Sequence, residues 1–308
     1  MMKHTEEGIV LKYSSGFFSI QTAEKEVVVC TLRGRLKKGR KIGDIAALGD
    51  RVQFTRLPEG TGVIETVAER QSAFIRMAPT PRGVYQQVLL ANPDQVVFVF
   101  ACADPKPHRR MLDRFLVIAE KQEIPAVVVA NKVDLIGMDK AKEIFGLYEE
   151  IPYPVFYTST ENDESVEALF SQLKGRISAL TGPSGVGKSS LLNAMMPGLG
   201  LAISHVSDAT AKGRHTTSHR ELFPIDVPEG GYVADTPGIR GLALWDTEPE
   251  ELDGYFPEMR NLVKYCHFND CTHREWEPNC AVRKAVEEGK IHPERYISYV
   301  KLRYGEEE

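Results

Sequence analysis

The most constraining feature of this chain is one glycine-rich segment, Gly182-Pro183-Ser184-Gly185-Val186-Gly187-Lys188-Ser189-Ser190. It fits the pattern G-x-x-x-x-G-K-[ST], which is typical of a phosphate-binding loop. An apolar run at 177–181 precedes it, and a segment with helical spacing follows it. Glycines allow a tight turn in which successive N–H groups point at phosphate oxygens. The whole segment is therefore predicted to bind a nucleoside triphosphate, with Lys188 on the β- and γ-phosphates as a catalytic cation and the Ser189 hydroxyl on Mg²⁺.

A second motif, Asn131-Lys132-Val133-Asp134, follows a predicted buried strand at 126–130. It matches N-K-x-D, the guanine-specificity pattern of GTPases. The Asp134 carboxylate can accept hydrogen bonds from guanine N1–H and N2–H₂ together, whereas adenine lacks this pair of donors. Lys132 can lay its aliphatic stem over the base. Asn131, Lys132 and Asp134 are therefore predicted to bind guanine.

The base-binding edge has a third candidate segment, Thr158-Ser159-Thr160, after a predicted strand at 155–157. It occupies the place of the GTPase motif S-A-K, which supports the base, although the alanine and lysine are absent. Ser159 and Thr160 are accordingly predicted to contact the nucleotide.

Two segments after the phosphate-binding loop resemble nucleotide switches. Asp235-Thr236-Pro237-Gly238 matches D-x-x-G, so Asp235 is expected to bind Mg²⁺ through water and the Gly238 N–H to sense the γ-phosphate. The stretch 212–219 carries Thr216 and Thr217, either of which can offer a hydroxyl to the metal, and the sequence does not choose between them.

The residue that orients the attacking water is not evident. Many GTPases place a glutamine just after D-x-x-G, but this chain has Ile239, which cannot hydrogen-bond. The hypothesis is that His215 or His219 performs this role, with His215 preferred because it lies beside the two threonines. A histidine that only packs the switch segment is an equal alternative.

The central fold follows from alternating strand and helix patterns that begin at residue 95. Such alternation predicts a doubly wound, mostly parallel sheet with ligands at the carboxyl ends of its strands. Conventional GTPases run from the phosphate-binding loop to D-x-x-G and then N-K-x-D, whereas here N-K-x-D comes first. Because the ends of a domain usually lie close together, a circularly permuted α/β GTPase domain at 95–244 is predicted.

The N-terminal part reads as five short strands within residues 8–67, which favours an OB-fold barrel over 1–72. A connector at 73–94 carries several prolines. Between the third and fourth strands, six of the nine residues in 33–41 are cationic. A flexible cationic loop on such a barrel favours contact with an RNA backbone, although a solvated charge run is the alternative. The predicted RNA-binding residues are Arg33, Arg35, Lys37, Lys38, Arg40 and Lys41.

The C-terminal part, 245–308, combines predicted helices with three of the five cysteines of the chain. Cys266, Cys271, His273 and Cys280 have the spacing C-x₄-C-x-H-x₆-C, which suits one structural, four-coordinate Zn²⁺. Unrelated buried cysteines are the alternative, and His267 is a competing ligand with awkward geometry beside Cys266.

Composition limits the class of protein. The 308 residues carry a net charge of −5, and no apolar run approaches the length that spans a membrane. The N-terminus lacks the apolar segment of a signal peptide, so a cytoplasmic protein with no membrane partner is expected. A monomer is the expected oligomeric state, which the sequence itself does not determine.

Together these motifs closely resemble the bacterial family of GTPase A proteins that depend on the small ribosomal subunit, over essentially the whole chain. The resemblance implies hydrolysis of GTP to GDP and stimulation of this activity by the ribosome. It also implies binding to the small subunit and its rRNA through the barrel and the predicted zinc-binding segment, and assistance in late subunit maturation. Two alternatives stay open: a translation or stress GTPase with another RNA partner, and a GTP-gated RNA-binding switch in which hydrolysis is incidental.

Overall fold

The computed structural model describes residues 5–37, 44–80, 83–201, 221–235 and 247–305. Several predicted site residues lie outside these ranges, namely Lys38, Arg40, Lys41, His215, Thr216, Thr217, Gly238, and with them His219 and Ile239.

The N-terminal strands close into a barrel, as predicted. They are β1 (Thr5–Ser14), β2 (Phe17–Thr22), β3 (Val27–Leu32), β4 (Arg51–Arg56) and β5 (Gly62–Val67). Their order is β1-β2-β3-β5-β4, and β4 pairs back with β1, which is the closed five-stranded arrangement of an OB-fold. Alternate residues such as Ile20, Phe54 and Ile64 fill the interior without exposed surface.

The segment predicted as a connector contains two strands, β6 (Ala73–Thr80) and β7 (Gly83–Ala91), which pair as an antiparallel ribbon. The prolines of this segment did not suggest strands, because proline has no N–H to donate to a neighbouring strand. In a ribbon of two strands each strand has one neighbour, so N–H groups on its outer edge need no partner strand and proline is tolerated there. The ribbon contacts both neighbours. Asp44 accepts the Val88 N–H at 2.9 Å, and Gln122 accepts the Ile75 N–H at 2.7 Å.

The described part of the central domain has six further strands: β8 (Gln95–Ala101), β9 (Ala126–Asn131), β10 (Val155–Thr158), β11 (Ile177–Thr181), β12 (Glu221–Pro224) and β13 (Tyr232–Asp235). Their order is β10-β9-β8-β11-β13-β12, and only β12 runs antiparallel to its neighbour. The helices of this domain are α1 (Arg109–Lys121), α2 (Met138–Phe145), α3 (Asp163–Leu173) and α4 (Lys188–Met195).

Helices cover both faces of this sheet. On β8, Phe98 and Phe100 pack against Phe115 of α1, while Val97 and Val99 lie in a second cluster with residues of α3 and α4. A strand that is apolar on both faces is typical of a doubly wound sheet, and the predicted fold class is confirmed.

One strand belongs to both the barrel and the central sheet. The first half of β1, Thr5–Ile9, pairs with β4, whereas Lys12 pairs with Glu221 of β12. A register shift between Val10 and Lys12 separates the two halves. Such bulges bend a strand and change which neighbour its edge meets, so the two domains form one continuous sheet.

The C-terminal region is helical, with α5 (Pro257–Arg260), α6 (Ala281–Glu287), α7 (Pro293–Tyr304) and a 3₁₀ helix at Pro249–Tyr255. Its apolar cluster includes Val117 of α1, so this module packs on the central domain. Among the described residues no helix has the length and apolar character needed to cross a membrane.

Candidate functional site

The phosphate-binding loop turns tightly between β11 and α4. Gly182 approaches β8 so closely that a Cβ there would lie 2.0 Å from the Val99 carbonyl oxygen. Gly185 and Gly187 have φ values of 80° and 96°, in the left-handed region that favours glycine. The loop therefore requires glycine where the sequence has it.

Lys188 begins α4 and folds back over this loop. Its Nζ donates to the Gly182 and Pro183 carbonyl oxygens at 2.8 and 2.7 Å. Burial lowers the pKa of Lys188, and the charge of Asp235 opposes this effect. Phosphate oxygens are stronger acceptors than backbone carbonyls for an ammonium group, so the loop suits a bound anion.

Asn131 connects the guanine motif to the phosphate-binding loop. Its Nδ2 donates to the Val186 carbonyl at 2.8 Å, and its Oδ1 accepts from Thr158 Oγ1 at 2.9 Å. A Cβ on Gly187 would lie 2.4 Å from Asn131 Nδ2, so this close contact also requires the glycine. The two motifs, 55 residues apart in the chain, meet at the carboxyl ends of parallel strands.

The other base-binding candidates lie at the same edge. Asp134 is exposed, and one of its carboxylate oxygens accepts from Ser159 Oγ at 2.6 Å, which leaves the other free to meet a base. Lys132 has a left-handed backbone, and its Nζ donates to the Asp104 carbonyl. Thr160 is exposed beside Ser159.

Asp235 ends β13 directly opposite Leu180 of β11, close to the phosphate-binding loop. Its Oδ1 is buried and has no hydrogen-bond partner among the described residues. Burial raises the pKa of Asp235, and the charge of Lys188 lowers it. Mg²⁺ prefers oxygen ligands. The unpartnered Asp235 carboxylate oxygen and the hydroxyl of Ser189, the residue after Lys188, are ligands of this kind.

The C-terminal module brings the predicted metal ligands together. The ligand atoms of Cys266, Cys271, His273 and Cys280 all lie within 4.8 Å of one another, so they form a group able to hold a metal ion. Burial raises the pKa of Cys271 to about 12. Burial also opposes ionisation of Cys280, but hydrogen bonds from the His273 ring and the Arg283 N–H lower its pKa to about 7. Thiolates are the form that binds metal.

The cationic segment of the barrel is only partly described. Arg33 Nε donates to Glu65 Oε2 at 2.8 Å, and Arg35 Nη2 donates to the Glu65 carbonyl at 3.1 Å. Lys37 ends the short 3₁₀ helix Gly34–Lys37. Glu65 offsets one of the two arginine charges, while the Arg35 side chain keeps 65% of its surface exposed.

Sequence reasoning missed two contributors to the nucleotide edge. Thr158, fully buried, holds Asn131 in place, and the Asp104 carbonyl holds Lys132. Asp104 belongs to no named motif. Thr158 is the first residue of the segment that was compared with S-A-K, but only Ser159 and Thr160 of that segment were predicted to contact the nucleotide.

Comparison with known proteins agrees with this geometry. A family model described as RsgA GTPase matches residues 67–245, and one described as RsgA N-terminal domain matches residues 7–64. A relative from Gemmatimonas aurantiaca, named small ribosomal subunit biogenesis GTPase RsgA, is 45% identical over 304 residues, which cover 98% of each chain.

Two solved structures have the same overall fold. YjeQ from Thermotoga maritima is 39% identical with a TM-score of 0.78, and the match covers 98% of both chains. YloQ, described as a circularly permuted GTPase, is 31% identical with a TM-score of 0.74, covering 98% of this chain and 95% of that one. The chain is therefore a circularly permuted GTPase and belongs to the RsgA GTPase family.

Proposed function

We propose that this GTPase hydrolyses GTP to GDP and phosphate on the small ribosomal subunit and assists the late maturation of that subunit. The observation that carries the proposal is the bond from Asn131 to the Val186 carbonyl, which joins the guanine motif and the phosphate-binding loop into one site. The role of the small subunit is inferred from relatives that are named small ribosomal subunit biogenesis GTPase RsgA.

Guanine recognition is assigned to Asp134, with Ser159 as its support. The Ser159 hydroxyl holds one carboxylate oxygen at 2.6 Å, so the group is already oriented before the base arrives. Adenine would leave the carboxylate without donors, which disfavours ATP. Lys132 and Thr160 are assigned to the rim of the base site. Asn131 is assigned a supporting role, because it links this site to the phosphate-binding loop.

The phosphates are assigned to the loop 182–190, whose N–H groups surround them while Lys188 exchanges its carbonyl partners for phosphate oxygens. Mg²⁺, which would balance phosphate charge when bound, is assigned to Ser189, Asp235 and one of Thr216 and Thr217. The unpartnered Asp235 Oδ1 supports this assignment. The Gly238 N–H is assigned to the γ-phosphate.

Hydrolysis proceeds by in-line attack of water on the γ-phosphate, and Lys188 stabilises the developing charge. Because Ile239 cannot orient the water, we infer slow turnover by the isolated protein. His215 is proposed to orient the water when the small subunit is bound.

The metal group of the C-terminal module is assigned to one structural Zn²⁺. Three thiolates and one imidazole favour zinc, and four protein ligands leave no position for substrate. Contact with rRNA is assigned to Arg33, Arg35, Lys37, Lys38, Arg40 and Lys41 of the barrel loop. The protein is proposed to act as a cytoplasmic monomer.

The test is GTP turnover at one moderate salt concentration, with and without purified small subunits, because phosphate contacts are salt-sensitive. Large subunits serve as the matched control, and Lys188→Ala reports background hydrolysis. Stimulation by small subunits alone supports the proposal. Turnover that neither subunit changes would refute the ribosomal role and leave a GTPase with another RNA partner or a GTP-gated RNA-binding switch. His215→Ala with intact GTP binding and intact stimulation would refute the role of His215.

A further inference from the structure

The imidazole of His273 is fully buried and has different partners at its two nitrogens. Nδ1 lies 3.3 Å from Cys280 Sγ and 3.6 Å from Cys266 Sγ, so it is the nitrogen that faces the metal position. Nε2 lies 3.1 Å from Asp253 Oδ2. The ring therefore lies between the sulfur ligands and one carboxylate.

Asp253 is itself held by the module. The Nη1 atom of Arg303 lies 3.7 Å from Asp253 Oδ2 and donates to the Cys271 carbonyl at 3.3 Å. The backbone of His273 is held as well, because Tyr296 Oη donates to the His273 carbonyl at 2.6 Å. The carboxylate, the ring and the ligand loop are thus positioned by one set of hydrogen bonds.

This arrangement has a chemical consequence at His273. A carboxylate that accepts the Nε2–H keeps the proton on that nitrogen, so the Nδ1 lone pair is available to a metal. It also fixes the plane of the ring and makes Nδ1 a stronger donor. Without Asp253 the ring could adopt the other tautomer, in which Nδ1 carries the proton and cannot bind.

Asp253 also lies close in the sequence to the D-x-x-G motif. It lies on the 3₁₀ helix Pro249–Tyr255, which follows 236–246, the segment that contains Gly238 of the D-x-x-G motif. Leu252 of this helix is buried in the same apolar cluster as Val117 of α1. Just before the helix, Lys121 Nζ of α1 donates to Thr247 Oγ1 at 2.8 Å.

We propose that Asp253 is a positioning residue for zinc, acting through His273, and that zinc binding in turn stabilises the 3₁₀ helix Pro249–Tyr255, which follows the D-x-x-G motif in the sequence. The inference rests on the metal site assigned above. Asp253 lies on this 3₁₀ helix and not on the stretch 266–280 that carries the metal ligands. Its contact with His273 therefore couples the stability of the metal site to the stability of the helix.

The first test titrates Co²⁺ into metal-free protein and follows the d–d absorption of the thiolate-bound ion, with Zn²⁺ competition to give affinities. The Asp253→Ala variant should bind about 10- to 100-fold more weakly than the wild type, the range found for lost partners of metal-bound histidines. Asp253→Asn should lose less, because its amide oxygen can accept the same bond. Glu251→Gln, an exposed carboxyl on the same 3₁₀ helix, is the control and should bind like the wild type.

The results separate this inference from the metal assignment. If the wild type takes up no Co²⁺, or if Cys271→Ser does not reduce uptake, the assigned site is wrong and the inference falls with it. If Cys271→Ser abolishes uptake but both Asp253 variants bind as tightly as the wild type, the site stands and the role of Asp253 is refuted. If the alanine variant does not fold, Asp253→Asn decides alone: a measurable loss of affinity supports the role of Asp253, and an affinity equal to that of the wild type refutes it.

The second test measures amide hydrogen exchange in peptides covering 247–256, with and without Zn²⁺. Zinc should slow exchange there in the wild type and in Glu251→Gln, and should have little effect in Asp253→Ala at saturating metal. Equal protection by zinc in Asp253→Ala would refute the link between the metal and this segment.

Discussion

Replacement of Arg295 by methionine is expected to loosen the C-terminal module from the central domain. The Arg295 side chain is 1% exposed, and its Nη1 lies 2.6 Å from Asp113 Oδ1 of α1. Its Nε lies 2.7 Å from Glu258 Oε1, and the guanidinium stacks 4.5 Å from the centroid of the Phe256 ring. One buried cation therefore joins two carboxylates on separate parts of the structure.

The expected magnitude follows from what the substitution leaves behind. Methionine keeps much of the packing but removes the cation, so Asp113 and Glu258 lose their counter-charge at sites that are 4% and 11% exposed. Breaking a buried ion pair in this way costs about 3–5 kcal/mol. Local opening of α7 would then become roughly 10²- to 10⁴-fold more frequent, at about 1.4 kcal/mol for each factor of ten.

Hydrogen exchange measured by mass spectrometry on α7 peptides gives this opening free energy directly. The triple variant Asp113→Asn, Glu258→Gln, Arg295→Met removes all three charges together and should recover most of the lost protection. Arg283→Met removes only contacts near the surface, the partly exposed pair with Glu287 and a bond to the carbonyl of the exposed Glu275, and should change exchange by less than about 1 kcal/mol. An effect of Arg295→Met below about 1 kcal/mol would refute the reasoning.

Four further outcomes are expected. Lys188→Met should weaken GTP binding by roughly 10²-fold or more in a fluorescent-nucleotide assay, since it removes a charged phosphate contact, while Lys174→Met should leave binding unchanged. Asp134→Asn should reduce the preference for GTP over ATP by roughly 10²-fold in competition binding, because the two guanine donors lose their carboxylate. Thr158→Val should lower the free energy of unfolding by about 1–2 kcal/mol in urea titration, because Asn131 loses a buried partner. Burial lowers the pKa of the Lys188 ammonium, and a bound triphosphate should raise this pKa again. GTP affinity should therefore fall as the pH rises through the pKa that Lys188 has in the nucleotide-free protein. Proton uptake on binding, seen by calorimetry in buffers of different ionisation enthalpy and absent in Lys188→Met, checks this sign.

The motifs of the nucleotide site could be predicted from the sequence because their chemistry is local. A phosphate-binding loop needs its glycines and lysine at fixed spacing, and Gly182 and Gly187 meet the steric demands expected of them. The bond from Asn131 to the Val186 carbonyl could not be predicted, because its acceptor is a backbone atom and carries no residue signature.

Other features depend on the tertiary structure alone. The ribbon of β6 and β7 was missed because its prolines indicate a break in structure unless the strand has only one neighbour. The metal ligands could be predicted from the spacing of cysteine and histidine. The contact of Asp253 with His273 could not, because the two residues are 20 positions apart and only the fold brings the 3₁₀ helix next to the imidazole.

The shared strand β1 also covers part of an outer edge of the central sheet. Strand β12 would otherwise be an outer strand with open N–H and C=O groups, the kind of edge that recruits a second molecule. Lys12 of β1 occupies part of that edge through its pairing with Glu221, and Pro224 at the end of β12 has no N–H to offer. We therefore expect the barrel to limit aggregation of the central domain, and a fragment that lacks the barrel to aggregate through β12.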